Sequence, residues 1–424
     1  MTGYANLSKN ERDALLSSLY GEYEAYKAKG LKLDLSRGKP NSEQLDISQG
    51  LLSVDMSREE CISDGGFDYR NYGILDGLPE MKSFFSKTYG IPESYITVGG
   101  NSSLQLMYDT LSRAMLFGVY GSHRPWCREE KVKWICITPG YDRHFRVSET
   151  LGMELVSVPM RPDGPDMDKV EQLALDPSVK GIWCIPKYSN PYGNTYSEEV
   201  VRRLVSMKCA APDFRIMWDN AYGVHDFDTD GDVLADVFAL ARQYGNEDRI
   251  FYYSSTSKIS FPGGGVAFMA MSDNNRKQIL PYLGAQTIGY DKLNQLRHLK
   301  FFGTPENLRL HMLKLGKVIG EKFRIVFSHL DELKGLGIAE WTEPKGGYFV
   351  SLETLPGTAK RIYTLMKDAG VVLTPAGATH PYGIDPMDNT LRIAPTYPQD
   401  SELLAAMEML VLAVKIAALE KIGI

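Results

Sequence analysis

FRIMWDNAY, Phe214 to Tyr222, is a strand-like run of bulky, mostly apolar residues with a carboxylate, an amide and a phenol directly behind it. A run without polar alternation belongs to a strand covered on both faces, the kind found in parallel sheets. Four more segments have the same texture: YITV (95–98), VKWICI (132–137), GIWCI (181–185) and IFYYS (250–254). Helical segments such as SEEVVRRLVSMKCA (197–210) lie between them. Strand and helix alternating over about 200 residues predict an α/β, doubly wound, mostly parallel sheet domain.

The flanks are built differently. An amphipathic helix is expected from about Ser8 to Lys29, and then the loop DLSRGKPNSEQLD (34–46). From Thr304 a long helix runs toward Leu333; then come GGYFVSL (346–352), a helix near Lys360–Ala369, VVLTP (371–375), TLRIAP (390–395) and a final helix. We therefore expect a large domain over 55–303 and a smaller α+β domain made of 1–54 with 304–424.

Composition narrows the function. A net charge of −6 over 424 residues argues against a nucleic-acid partner, which calls for a basic face. A small anionic substrate needs only a local cluster of Arg and Lys. The five cysteines (Cys61, Cys127, Cys136, Cys184, Cys209) form no CxxC pair, and the seven histidines show no HxxxH or HExxH spacing. Reduced thiols, no metal site and a cytoplasmic location are the expectation. The N-terminus has no basic region leading into an apolar one, so no secretory signal is expected. Leu403–Leu419 is apolar but carries Glu408 and Lys415 and is too short to span a bilayer, so no membrane is expected either.

In open α/β sheets, ligands bind outside the carboxyl ends of the strands. After YITV comes GGNSSLQLMYD (99–109), where Asn101, Ser102 and Ser103 open a helix. Free N–H groups and the helix dipole suit an anion there, although simple N-capping explains the same residues. After VKWICI, the segment TPGYDRHF (138–145) brings Tyr141 to the mouth, and after GIWCI, PKYSNPYGN (186–194) brings Asn190. FRIMW delivers Asp219 and Tyr222; IFYYS delivers STSKIS (255–260) with Lys258. An anion cradle, an aromatic, an amide, a carboxylate and an amine at five strand ends describe a pocket for a phosphorylated, aromatic, aldehyde-bearing ring.

Over essentially its whole length the chain resembles the fold-type I pyridoxal-phosphate aminotransferases of class I/II. The motifs YGILDGLPEMK (72–82), SNPYGN (189–194), DNAY (219–222), SSTSK (254–258) and LRIAP (391–395) occur in that family's order. The loop LDLSRGKPNSEQLD (33–46) resembles a divergent aspartate aminotransferase subgroup. The resemblance implies a pyridoxal 5'-phosphate cofactor linked to Lys258, which also moves the substrate α-proton. It implies that Asp219 holds the ring nitrogen, Asn190 and Tyr222 the phenolic oxygen, and Tyr141 a ring face. Asn101, Ser102, Ser103, Ser255 and Ser257 would bind the phosphate, and Arg392, with Asn190, the substrate α-carboxylate. Tyr72 would reach the phosphate of a neighbouring subunit, implying a homodimer with active sites at the interface.

The sequence departs from the family after Lys258. The usual phosphate-binding arginine is replaced in KISFPGGGVAF (258–268) by Gly265. Gly263–Gly265 suits either close approach of backbone N–H groups to an anion or a tight turn. Arg37 and Gly38 lie in a loop that, by resemblance, borders the active site; Lys39, Arg143 and Arg297 are further candidates for a second substrate cation. The leading expectation is transamination of L-aspartate with 2-oxoglutarate, amino acids and 2-oxo acids being the small-molecule partners. The alternatives are an aromatic, alanine-type or multi-substrate aminotransferase, with aromatics such as Tyr141 and Tyr188 around the pocket. A cofactor-binding regulatory domain is disfavoured, because only about 30 residues precede LDLSRG and a winged helix-turn-helix needs about 60–70.

Overall fold

The computed structural model describes residues 3–423. Eight strands form the central sheet: β1 (Ile96–Val98), β2 (Lys133–Thr138), β3 (Glu154–Arg161), β4 (Gly164–Pro165), β5 (Val179–Cys184), β6 (Arg215–Asp219), β7 (Ile250–Ser255) and β8 (Ala267–Met271). Their spatial order is β1-β8-β7-β6-β5-β2-β3-β4. The five strands from β7 to β3 run parallel, while β8 is antiparallel to both β7 and β1, and β4 to β3. A second sheet, β9 (Ala339–Trp341), β10 (Val350–Thr354) and β11 (Thr390–Ile393), is antiparallel throughout.

The α/β expectation holds, with three strands of the central sheet, β3, the two-residue β4 and β8, and β9 of the small sheet unforeseen. β3 alternates buried and open positions and contains Pro159, as suits a strand next to the edge. β8 (AFMAM) has no β-branched residue to announce it, yet every position is buried. Because β8 intervenes, Ile96–Val98 pairs antiparallel instead of extending the parallel set.

Six helices matter for the site: α1 (Lys9–Lys27), α2 (Ser103–Phe117), α3 (Asp142–Thr150), α4 (Lys292–Phe302), α5 (Pro305–Leu330) and α6 (Asp400–Ile422). A capping box starts α1, where Ser8 accepts from the Glu11 N–H and Glu11 reaches back to the Ser8 N–H. Ser102 caps α2 by accepting from the Gln105 N–H, so the capping explanation of that serine is realised.

Apolar packing gathers on both faces of the central sheet and around the small sheet. The small-sheet core joins Leu19, Tyr23 and Tyr26 of α1 to Leu352, Leu391, Leu403 and Leu410. Helices α1 and α6 therefore share one apolar core. Leu410 is fully buried, and truncating it to alanine should cost about 2–5 kcal/mol. Helix α5 belongs to two cores: Leu308, Met312 and Leu315 pack under the central sheet, and Ile319, Phe323, Val326 and Leu330 pack with the small one.

Candidate active site

A cavity of about 360 Å³ opens between the carboxyl edge of the central sheet and the small-sheet unit. Strand ends and the turns after them provide its floor: Asp219 closes β6, Ser255 closes β7, and Asn190, Tyr222, Ser257 and Lys258 sit in the turns beyond. Tyr141, Asp142 and Arg143 line one side; Ser102 and Ser103 line it from the start of α2. Gly38, Phe349 and Arg392 face the floor from the small-sheet unit. Widely separated chain segments, from Gly38 to Arg392, thus share one wall.

Asp219 is the most constrained group. It is buried, its Oδ2 accepts a hydrogen bond from His144 Nε2 at 2.9 Å, and its Oδ1 has no partner. An unpartnered carboxylate oxygen in a buried site is costly unless a ligand donor meets it. His144 is itself fixed by stacking on Trp183, with ring centroids 4.2 Å apart and 11° between planes, and Trp183 donates to Ser148.

Lys258 is enclosed by aromatic faces. Its Nζ lies 4.8 Å from the ring centre of Tyr222 and 5.7 Å from that of Tyr348. Burial lowers its pKa, partly offset by the charge of Asp219, and so favours the neutral, nucleophilic amine. Three histidines brace the turn that carries it. His298 of α4 donates from Nδ1 to the Asn294 carbonyl and accepts at Nε2 from Ser260 (2.8 Å). His311 of α5 donates to the Ile259 carbonyl at 2.8 Å, and His225 Nε2 lies 3.4 Å from the Lys258 carbonyl. All three are held neutral: burial lowers His225, helped by the charge of Lys258, to about 3, burial lowers His298 to about 4, and burial lowers His311 as well.

Arg392 enters from β11. Its Nη1 donates to Asn190 Oδ1 (3.3 Å) and Asp142 Oδ1 (3.2 Å), its Nε to Thr374 (3.2 Å), and its guanidinium lies 4.9 Å from the centre of the Phe349 ring. Gly38 is required beside that ring, since a Cβ there would fall 2.1 Å from Phe349 Cζ. Burial pushes the Tyr141 hydroxyl up to about 12, helped by Asp142 and Asp219 and opposed by Arg392 and Arg143.

A family model described as aspartate amino-transferase matches residues 7–423. An aspartate aminotransferase of Corynebacterium glutamicum is 44% identical over 422 residues, 98% of each chain. The chain belongs to the aspartate aminotransferase family. The crystal structure of an aspartate transaminase from C. glutamicum matches this aminotransferase with a TM-score of 0.97 at 42% identity, covering 99% of both chains. A Thermus thermophilus alpha-aminoadipate aminotransferase, complexed with N-(5'-phosphopyridoxyl)-L-leucine, shares the fold at 20% identity, with a TM-score of 0.73 over 94% of this chain and 97% of that one. The fold is that of the type I aminotransferases.

Most sequence-derived candidates converge on the cavity of this aminotransferase: Ser102, Ser103, Tyr141, Asn190, Asp219, Tyr222, Ser255, Ser257, Lys258, Gly38 and Arg392 all line it. Others stand apart. Asn101 lies just outside, its carbonyl accepting from Ser257 Oγ at 3.1 Å. The Arg37 side chain is exposed and pairs with Asp34 at 2.9 Å, and Lys39 lies over the Tyr397 ring. Tyr72 is 77% exposed and Arg297 does not line the cavity. Tyr188 is buried in the core, donating to Asp226 at 2.6 Å. Gly263–Gly265 makes a turn in which the Gly264 N–H donates to Phe261 and Asn294 donates to the Gly264 and Gly265 carbonyls; none of the three lines the cavity.

The donor set fits pyridoxal 5'-phosphate: a free carboxylate oxygen on Asp219, an amine with lowered pKa on Lys258, and four serines at one end. His144 and Trp183 were not singled out from sequence. Their only signal was a histidine three residues after Tyr141 in TPGYDRHF.

Proposed function

We propose that this chain transfers the amino group of L-aspartate to 2-oxoglutarate, giving oxaloacetate and L-glutamate, with pyridoxal 5'-phosphate held in the cavity. The observation that carries the reading is Asp219 Oδ1, buried without a partner in the same cavity as Lys258 and Arg392. Bound there, the cofactor supplies an aldehyde carbon for attachment and a protonated ring that accepts the electron pair left on the substrate α-carbon.

In this reading the chain's residues divide the work. Lys258 would hold the cofactor through its amine and, freed when substrate binds, would serve as the base for the proton on the substrate α-carbon. Asp219 accepts from the ring N–H, keeping that nitrogen positive, and His144 fixes the carboxylate's orientation. Asn190 and Tyr222 donate to the ring's phenolic oxygen, and Tyr141 covers one face. Ser102, Ser103, Ser255 and Ser257, with the open N–H groups that begin α2, hold the phosphate. Arg392 receives the α-carboxylate, for which a planar two-pronged donor is suited. Asp142 accepts from Nη1 of that guanidinium, so an arriving carboxylate competes with it there.

The same reading includes a homodimer. The exposed Tyr72, outside its own chain's cavity, is supporting evidence, since it is free to complete a partner's phosphate site. The division into 55–303 and 1–54 with 304–424 puts the floor of the cavity on one part and Gly38, Phe349 and Arg392 on the other. A cytoplasmic setting is in keeping with cysteines that are all free. Among the described residues no helix is long and apolar enough to cross a membrane.

The test is the visible spectrum of the purified holoenzyme. L-aspartate alone should bleach the cofactor band, and 2-oxoglutarate should restore it. A band that ignores aspartate but answers another amino acid would overturn the substrate; no band after reconstitution would overturn the role of Lys258.

A further inference from the structure

Tyr188 carries a backbone strain that its surroundings hold in place. Its φ is +50°, in the left-handed region that a bulky side chain rarely enters, and it is the buried one of four such non-glycine positions among the described residues. Two positions on is Asn190, which lines the cavity and accepts from Arg392 Nη1 at 3.3 Å. That bond uses the amide oxygen and leaves the amide nitrogen as the donor.

The hydroxyl of Tyr188 locks the turn. It donates to Asp226 Oδ1 at 2.6 Å and accepts from the Asp232 N–H at 2.9 Å. Lys187, also buried, meets the same Asp226 oxygen at 2.8 Å and the Gly223 carbonyl at 3.3 Å. The turn after β5 is therefore pinned to the turn after β6, and Asn190 is held in register with Tyr222. From the small-sheet side, Gly346 and Gly347 close on the ring: a Cβ added to them would fall 2.2 Å from Tyr188 Cε2 and 2.6 Å from Tyr188 Cβ. Packing of that ring needs no hydroxyl. A phenylalanine would fill the space, whereas the hydroxyl fixes where the turn is tied.

We infer that Tyr188 is a positioning residue: anchored on Asp226, it holds the strained turn that aims the Asn190 amide at the cofactor's phenolic oxygen. The inference rests on the transaminase reading above and adds to it a residue that does not line the cavity.

The readout is the pH at which the cofactor's visible band changes, followed in the holoenzyme without substrate. An N–H on the phenolic oxygen draws off negative charge that would otherwise retain a proton on the neighbouring Lys258 nitrogen. Loss of that donor raises the midpoint. N190A should raise it by about one pH unit or more, the scale of a hydrogen bond to a charged group. Tyr188→Phe keeps the ring and leaves Asp226 paired with Lys187, so no buried charge is stranded. It should raise the midpoint by about half a pH unit to one, and added to N190A it should do nothing further. A lower Tm with an unmoved midpoint would make Tyr188 a structural residue only and overturn the inference, with the transaminase reading intact. So would an equal increment in both backgrounds. An unmoved midpoint in N190A itself would overturn the contact of Asn190 with the cofactor and this inference together.

Discussion

The floor and the rim of the cavity are made by opposite rules. Floor groups sit at strand ends, buried or half-buried, and are held from several sides: Asp219 on His144, Lys258 between two rings, its turn gripped by three histidines. Rim groups such as Asp142 and Arg143 lie on a helix start, more open to water, and Asp142 is paired across the cavity with Arg392 of β11. Low dielectric makes floor interactions strong and their loss severe. At the rim, water screens each pair and replacement is cheap. In the proposed function, chemistry belongs to the floor and selection of the substrate to the rim.

Lys258→Ala puts this contrast under the greatest strain. Turnover of aspartate with 2-oxoglutarate should fall by about 10²–10⁴-fold or more, since both attachment and proton transfer are lost. A residual rate near wild type would remove the floor's claim to the chemistry.

Next is His144→Phe, which keeps a ring against Trp183 but leaves both Asp219 oxygens without a protein donor. A fall in kcat of about tenfold to a hundredfold is expected, with little change in KM, because the lost bond supports the ring charge and not the substrate. A change confined to KM would move His144 to the rim.

The histidine braces make the floor sensitive to acid. Their folded pKa values lie below the ordinary 6.5, at about 3 for His225 and about 4 for His298, so the unfolded chain binds more protons across that window. Stability is complete above pH 6.5 and declines as pH falls toward 4. At pH 5 His225 and His298 should each cost roughly 2 kcal/mol, measured as a drop in Tm between pH 7.5 and 5. His298→Asn should flatten that dependence.

The mildest change is at the rim. Asp142→Asn removes the internal competitor for Arg392, and KM should fall up to about fivefold for aspartate and neutral donors alike, the scale of a partly exposed ion pair. A rise in KM would mean that Asp142 orients Arg392 instead of competing for it.

Floor and rim also differ in how far the amino acids disclose them. Floor residues announce themselves because topology gathers strand ends, and the turns just past the apolar runs already contain Asn190, Asp219, Tyr222 and Lys258. Residues supplied across the sheet are invisible that way. His144 meets Asp219 only because the turn after β2 folds over β6, and 75 residues separate them. β8 escaped because alanine and methionine carry no strand preference, and its burial comes from neighbours on both sides. At the rim the cations Arg37, Lys39, Arg143 and Arg297 are equivalent as letters. Only their partners in three dimensions separate them.

Helix α5 ties the two cores together. Its first half is roofed by one core and its second half by the other, and at Gly316 a side-chain carbon would fall 2.4 Å from the Asp226 carbonyl. The helix is thus a beam let into two walls. A gene cut between residues 303 and 304 would strip Leu308, Met312 and Leu315 from one product and strand them, uncovered, on the other. The two parts would be sticky as separate proteins, and a split version of this chain should recover activity only when both halves are expressed together.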